Sequence, residues 1–374
     1  MKALTVALVG PLPPPSGGMA NQSIQMRQLL ESAGIEVRFA RVNEPYRPAV
    51  ISQVKGVRAV VRLIAYVVNI WRMFAAVDVV HVMANSGWSW HLFAAPAIWV
   101  ARMRSRPVVV NYRGGEAEKF FRRQWRWVRP TLARADAVVV PSPFLEQVFA
   151  QRGIRCSIVP NVLDMERFAP PAVRRDFGNS PHVVVTRNLE KIYDVPTAIR
   201  AFEAVSREYP GARLTIAGSG PEEAALKALV TAMNLDDRVS FSGRLSNEEV
   251  AALYRRADLM LNASLEDNSP NSLIEALACG VPVVSTSAGG IPLLVRDRVS
   301  AMLVPVRDHV ALGAAAVEVL ADAELRRNMV REGLELARKF EKTRVLGLWQ
   351  AEYAKLLSSP APGHEPRHRA SRRS

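Results

Sequence analysis

Two carboxylates, Asp267 and Glu275, stand eight residues apart in the segment Leu265–Pro282. Within it Ser269 is a helix-capping residue type, Pro270 suits a first helical position and Gly280 suits the position just past a helix end. The spacing predicts a short helix over 270–279, with Asp267 in the loop before it and Glu275 between one and two turns inside. The unpaired N–H groups of a helix start, here beside Asn271 and Ser272, attract anions. Carboxylates next to such a site can accept hydrogen bonds from sugar or ribose hydroxyls. The same residues also read as a capped helix with a solvated glutamate.

Two glycine-rich turns offer further backbone donors. The run Pro13–Met19 holds Gly17 and Gly18, and Ala217–Glu222 holds Gly218 and Gly220. Glycine lets backbone N–H groups approach a phosphate or sugar oxygen closely. The first turn has neither dinucleotide-fingerprint nor P-loop spacing, and each of the two reads equally well as a plain turn. No metal is expected: there is no D-x-D run, and Asp236-Asp237 reads as a turn. Two cysteines, Cys156 and Cys279, cannot form a four-cysteine zinc site or a disulfide framework, and they fit a reducing compartment.

These groups need elements to position them. Short apolar runs recur at Leu4–Val9, Glu36–Arg41, Val77–Val82, Pro107–Tyr112, Ala137–Val140 and Ser157–Val159, separated by helical stretches. A second series runs through His182–Thr186, Arg213–Ala217, Val239–Ser242, Leu259–Asn262, Pro282–Ser285 and Ala301–Val304. Strands alternating with helices predict parallel sheets with crossover helices. At 374 residues the chain has room for two such domains. The expected division is 1–168, a linker over 169–180 at Ala169-Pro170-Pro171, and 181–340. A closing helical stretch, Asp322–Leu357, has its last part, 341–358, returning to the first domain, and a disordered basic tail fills 359–374. Ligands then belong at the strand C-termini, facing a central cleft.

The segment from Asp267 to Glu275 resembles the E-x7-E motif of retaining GT-B glycosyltransferases, in particular family 4. The likeness extends along the chain in order: Gly17-Gly18, Asp78–His81, Val159–Val162, Thr186-Arg187, Ala217–Gly220, Phe241–Leu245 and Gly289–Pro292. It implies an α/β GT-B fold of two doubly wound, Rossmann-like domains, with the acceptor in the first and the nucleotide-sugar donor in the second. Catalysis would rest on Asp267, Glu275 and Arg187. By that resemblance Glu275 holds the donor ribose and Arg187 the pyrophosphate. Gly243 and Arg244 line the base pocket, Gly17 and Gly18 close on the phosphate, and Asn268, Ser269, Asn271 and Ser272 cradle phosphate and sugar. Three positions depart from the pattern. Asp267 replaces a glutamate, with Glu266 beside it. Lys191 stands one place before the usual lysine. Arg113 stands where a sugar-contacting histidine is usual, so that Arg113 or Glu116 meets the sugar or acceptor.

The implied reaction moves a hexosyl unit from a UDP- or GDP-sugar to a glycan or lipid-linked glycan, in surface polysaccharide or glycolipid synthesis, without a cofactor. A nucleotide-sugar 2-epimerase of the same fold and a non-catalytic member of a glycan assembly complex are the alternatives.

Charge locates a further partner. Residues 1–170 carry 22 Lys/Arg against 10 Asp/Glu, a net +12 of the chain's +14. Two stretches, Val54–Phe74 and Phe120–Arg129, interleave basic residues with large apolar ones, as in contacts with anionic lipid headgroups. Peripheral contact with an anionic membrane is therefore expected, in the cytoplasm or at the cytoplasmic membrane face. No nucleic-acid module appears, and no nucleic-acid partner is expected. The apolar start of the chain reads as a first strand rather than a signal peptide, and Val79–Ala101 as a strand and buried helix rather than a membrane span.

Overall fold

A computed structural model describes residues 4–13, 18–43 and 57–358, with the side chains of the helix Val57–Met73 described from Arg62 onward. Gly17, the start of the basic stretch at Val54 and the tail 359–374 lie outside the described residues. Among the described residues twelve strands form: β1 (Thr5–Gly10), β2 (Glu36–Arg41), β3 (Val79–Ala84), β4 (Val108–Tyr112), β5 (Ala137–Val140), β6 (Ser157–Ile158), β7 (His182–Thr186), β8 (Arg213–Ala217), β9 (Val239–Gly243), β10 (Leu259–Asn262), β11 (Val283–Thr286) and β12 (Met302–Val304). All neighbouring strands pair in parallel. The central strands β1, β3 and β4 are buried at every position, as valine-rich strands covered by helices on both faces must be.

The chain divides into two compact units. The first takes the described residues up to Pro141, Val148–Val159 and those from Leu346 on; the second takes Ser142–Gln147 and Pro160–Val345. The first sheet runs β2-β1-β3-β4-β5-β6 and the second β12-β11-β10-β7-β8-β9. Both are doubly wound, as expected. The strand order reverses between β1 and β3 in the first unit and between β7 and β10 in the second. Such reversals open a crevice at the strand C-termini.

Two expectations need correction. The segment 169–180 is not a free linker, because the second unit already begins at Pro160. Arg174 donates to the carbonyls of Ala257 and Cys279 at 2.8 and 2.7 Å, and Arg175 pairs with buried Asp258 at 2.7 Å. Guanidiniums that satisfy buried carbonyls and a carboxylate fasten the segment despite its prolines. The closing helical stretch is also broken, into Ala323–Ala337, a 3-10 turn Arg338–Phe340, and Lys342–Ser358. The break falls where the Leu163 N–H bonds to the Phe340 carbonyl at 2.8 Å. Past it, Trp349 and Tyr353 bury fully in the first unit, where the Trp349 ring lies 4.5 Å from that of His81.

Candidate active site

In the second unit Arg187 directly follows β7, and Asn262 ends β10, so the two flank the strand-order reversal. Arg187 Nε donates to Asn262 Oδ1 at 2.9 Å, and its Nη2 forms an ion pair with the Asp267 carboxylate. The guanidinium also sits over the Tyr193 ring, 4.9 Å from its centre. Asn262 is itself fixed, donating to Ser285 Oγ and accepting from Ser264 Oγ, both at 2.9 Å. The side chains of Arg187 and Asp267 are only 10% and 14% exposed. Low exposure strengthens their attraction and removes the freedom of a long side chain. Asp267 Oδ1 takes the Asn268 N–H at 2.9 Å. Asp267 is thus committed to holding Arg187 and its own loop.

A helix does follow, over Asn271–Ala278. Its start differs from expectation: Pro270, with extended ψ 115, occupies the capping position, and Ser269 caps nothing. Proline ahead of the first turn sets the chain direction, so the Ser269 hydroxyl points elsewhere. The Ser269 and Ser272 hydroxyl oxygens are buried without any hydrogen-bond partner. Such orphaned groups carry a desolvation cost that a ligand can relieve. Asn161 donates to Asn271 Oδ1 at 2.6 Å, and Ser142 donates to Asn268 Oδ1, fixing both amide side chains at the rim.

Glu275 lies in the second turn, half-buried, and no hydrogen bond to its carboxylate is found among the described residues. Burial pushes its carboxyl up to about 7, while the positive charges of Arg187 and then Arg167 pull it down. Near neutrality it is therefore poised between its two charge states. Tyr254 bridges this helix to β7. Its hydroxyl donates to the Ser272 carbonyl at 3.0 Å, so it accepts from Thr186 at 2.5 Å.

The glycines divide by role. Gly218 and Gly220 both lie against the loop that carries Arg187. A Cβ on either would strike the Arg187 or Leu189 carbonyl, and the Gly218 N–H is used by the Gly243 carbonyl at 2.8 Å. They let the β8 turn lie against the loop that carries Arg187. Gly289 and Gly290 act alike, a Cβ on them striking the Asp267 and Asn268 carbonyls. Gly243 adopts φ +67 with open space around it, and Arg244 beside it is exposed. Lys191 is exposed in the 3-10 turn Lys191–Tyr193, lining a small depression with Glu190, Asp194 and Glu222. That turn supplies the Tyr193 ring to Arg187.

In the first unit Arg113 follows β4 and is half-buried; burial pushes its guanidinium down to about 10. Its Nε donates to Asn111 Oδ1 at 3.0 Å, and its N–H to the Ala84 carbonyl at 2.9 Å. Glu116, by contrast, is exposed and pairs with Lys119 at 3.4 Å. Gly18 is exposed at the start of the helix Gly18–Glu31. The structure thus gathers Arg187, Asp267, Asn268, Ser269, Asn271, Ser272 and Glu275 around one loop and helix start. Sequence reasoning missed Asn262, Tyr193 and Tyr254. Only Asn262 left a signal, a polar residue closing an apolar strand.

Comparison with known proteins agrees with this geometry. Residues 172–335 match the family model described as "Glycosyl transferases group 1", and residues 16–167 the one described as "Glycosyltransferase Family 4". The chain is 32% identical over 195 residues to the N-acetyl-alpha-D-glucosaminyl L-malate synthase of Bacillus anthracis, covering 51% of this chain and 50% of that enzyme. It is 29% identical over 242 residues to the D-inositol 3-phosphate glycosyltransferase of Segniliparus rotundus, covering 61% and 52%. The chain thus spans about half the length of these two relatives. Among solved structures, Anabaena HepE in complex with UDP superposes with a TM-score of 0.73 at 18% identity, covering 94% of this chain and 100% of that one.

Proposed function

We propose, from the premise that this chain belongs to the family 4 glycosyltransferases, that it transfers a hexosyl unit from a nucleoside-diphosphate sugar to a hydroxylated acceptor with retention at the anomeric carbon. The observation that carries this is Arg187, tied to Asn262 and Asp267 at the β7/β10 reversal beside the unbonded carboxylate of Glu275. When the bond from the anomeric carbon to the phosphate oxygen breaks, the diphosphate gains negative charge. Arg187 is held in place to meet that charge, with the N–H groups at Asn271 and Ser272 and the orphaned Ser269 and Ser272 hydroxyls as further donors. The acceptor oxygen attacks the face the diphosphate leaves, and its proton passes to the departing phosphate oxygen. No protein nucleophile is needed, which fits Asp267 being bound to Arg187. Glu275 accepts the ribose hydroxyls.

UDP is the first nucleotide to test, since the solved structure of similar fold holds it, with GDP as the comparison. The acceptor we propose is a glycan or lipid-linked glycan that bears a negative charge. The first unit's excess of Lys and Arg favours it, and the two relatives act, by their names, with malate and an inositol phosphate. Contact with an anionic membrane belongs to the same reading. The helix Ala117–Leu132 turns Arg122, Arg123, Arg126 and Arg129 outward, with Trp127 at 74% exposure among them. Among the described residues no helix is long and apolar enough to cross a membrane.

Calorimetric titration of UDP and GDP into wild type and Glu275→Ala tests the donor reading. One nucleotide should bind wild type and be lost in the variant; binding of neither would overturn it.

A further inference from the structure

Behind Arg187 lies a buried network of neutral side chains, and its polarity can be assigned bond by bond. A guanidinium only donates, so the Asn262 atom that faces Arg187 Nε at 2.9 Å is the amide oxygen. The amide nitrogen then points the other way and donates to Ser285 Oγ at 2.9 Å. Ser285 gives its own proton to the Thr286 carbonyl at 3.0 Å, and the Thr286 hydroxyl gives its proton to the Ser264 carbonyl at 2.6 Å. Ser264 Oγ closes the circuit, donating to Asn262 Oδ1 at 2.9 Å. Asn262, Ser264, Ser285 and Thr286 are all 0% exposed. They join the C-terminal ends of β10 and β11 and the loop after β10. The amide cannot turn over, because a flip would set its NH2 group against the guanidinium.

Packing alone does not call for this network. The rest of β10 is Leu259-Met260-Leu261, and an apolar residue at 262 would continue the strand without burying polar groups. What the network supplies is direction. Asn262 holds Nε, Asp267 holds Nη2 and the Tyr193 ring lies against the guanidinium, so the fork has one orientation. The nitrogen left without a protein partner among the described residues is Nη1. The network also supplies neutrality. An aspartate at 262 could make the same bond to Nε, but together with Asp267 it would put two carboxylates on one guanidinium and oppose an anionic ligand. An amide holds the arginine without adding to the charge that Asp267 already brings.

From this geometry we infer that Asn262 is a positioning residue for the donor diphosphate: its grip on Nε sets which edge of Arg187 meets the phosphate oxygens, and its being an amide rather than a carboxylate keeps that edge attractive to them. The inference rests on the donor reading above and deepens it.

The full chain, labelled with 15N at arginine, is measured first without ligand. The Nε–H resonance that disappears in Arg187→Ala should exchange slowly with water in wild type and in Asn262→Asp, which keeps an acceptor there, and quickly in Asn262→Leu. UDP, GDP and their nucleosides are then titrated. Asn262→Leu should weaken the nucleotide that binds wild type about tenfold, and Asn262→Asp at least as much, with nucleoside affinity unchanged in both. A merely structural role would weaken nucleotide and nucleoside alike. With Arg187→Ala already in place, Asn262→Leu should cost no further affinity. If Asn262→Leu fails to fold, the isosteric Asn262→Asp carries the test. The inference is overturned if the Nε–H exchanges as fast in wild type as in Asn262→Leu, or if Asn262→Asp binds the nucleotide as wild type does. It is equally overturned if Asn262→Leu weakens binding as much with Arg187 gone as with it present. Binding of neither nucleotide to wild type would overturn the donor reading, and with it the ligand named here. The Nε–H exchange, read without ligand, would still decide whether Asn262 holds Arg187.

Discussion

The two units share an architecture and use buried polarity in opposite ways. In the second, charge gathers around one loop: Arg187, Asp267 and Glu275 lie within a turn or two of the β7 and β10 ends, with two hydroxyls left unbonded. In the first, Arg113, Asn111, His81 and Tyr353 are joined by successive hydrogen bonds, and the run ends in a helix from the far end of the sequence. Unsatisfied groups await a ligand; satisfied groups hold a residue still. The second unit is therefore the one whose chemistry is exposed to single substitutions, and the first the one whose geometry is.

That contrast can be broken at several points. The largest effect is expected at Arg187. Arg187→Ala should slow transfer by about 10²–10³-fold in kcat, as for a lost oxyanion donor, measured by product formation at saturating donor. An unchanged kcat would remove the centre of the donor reading.

Glu275→Gln tests the claim that a buried carboxylate is kept at a cost. Its folded value, about 7, lies above the ordinary 4.5. The native state therefore holds this proton more tightly than the unfolded chain, and stability falls as pH rises from about 4.5 to 7. With the group half-buried, the loss at pH 8 should be about 1–3 kcal/mol. Glu275→Gln should recover it, raising apo-protein stability in urea at pH 8 and not at pH 4, while weakening nucleotide binding. In wild type, UDP affinity should rise through pH 6–8 as the carboxylate forms, and the variant should lose that slope.

Gly218→Ala sharpens the separation of scaffold from ligand contact. Its Cβ would strike the Arg187 carbonyl, so about 2–4 kcal/mol of unfolding free energy should be lost, with a displaced Arg187 lowering activity as well. The smallest effect is expected at the surface of the first unit. Arg122→Ala with Trp127→Ala should reduce sedimentation with anionic vesicles severalfold and leave Tm within a degree or two, since both side chains face outward. Unchanged sedimentation would discard this helix as a membrane contact.

How far the sequence could be read follows the same division. All twelve strands were legible: the central ones, covered on both faces, are short apolar runs, and the partly exposed β2 and β9 alternate apolar with polar residues. The residues of the second site were legible too, because Asp267 through Glu275 form one continuous segment whose residue types announce a turn and a helix. What they do there was not. Asp267 faces Arg187, a partner 80 residues away, and a Cβ on Gly218 or Gly220 would strike the loop that carries Arg187. Ser269 carries a capping residue type yet caps nothing, because local preference yields to the chain direction that Pro270 sets.

In the first unit the reading stopped sooner. Arg113 could be noticed only as a departure from a pattern. Nothing local ties it to Tyr353, since His81 and Tyr353 are 272 residues apart. The sequence by itself determined two parallel α/β sheets, the helix after β10 and the excess positive charge of the first half, because each is a property of residue order and composition. Only the tertiary structure decided which guanidinium meets which carboxylate, which hydroxyls remain unbonded and which way the Asn262 amide faces. Those depend on directional bonds between side chains that folding alone brings within 3 Å, and no periodicity along the chain encodes them.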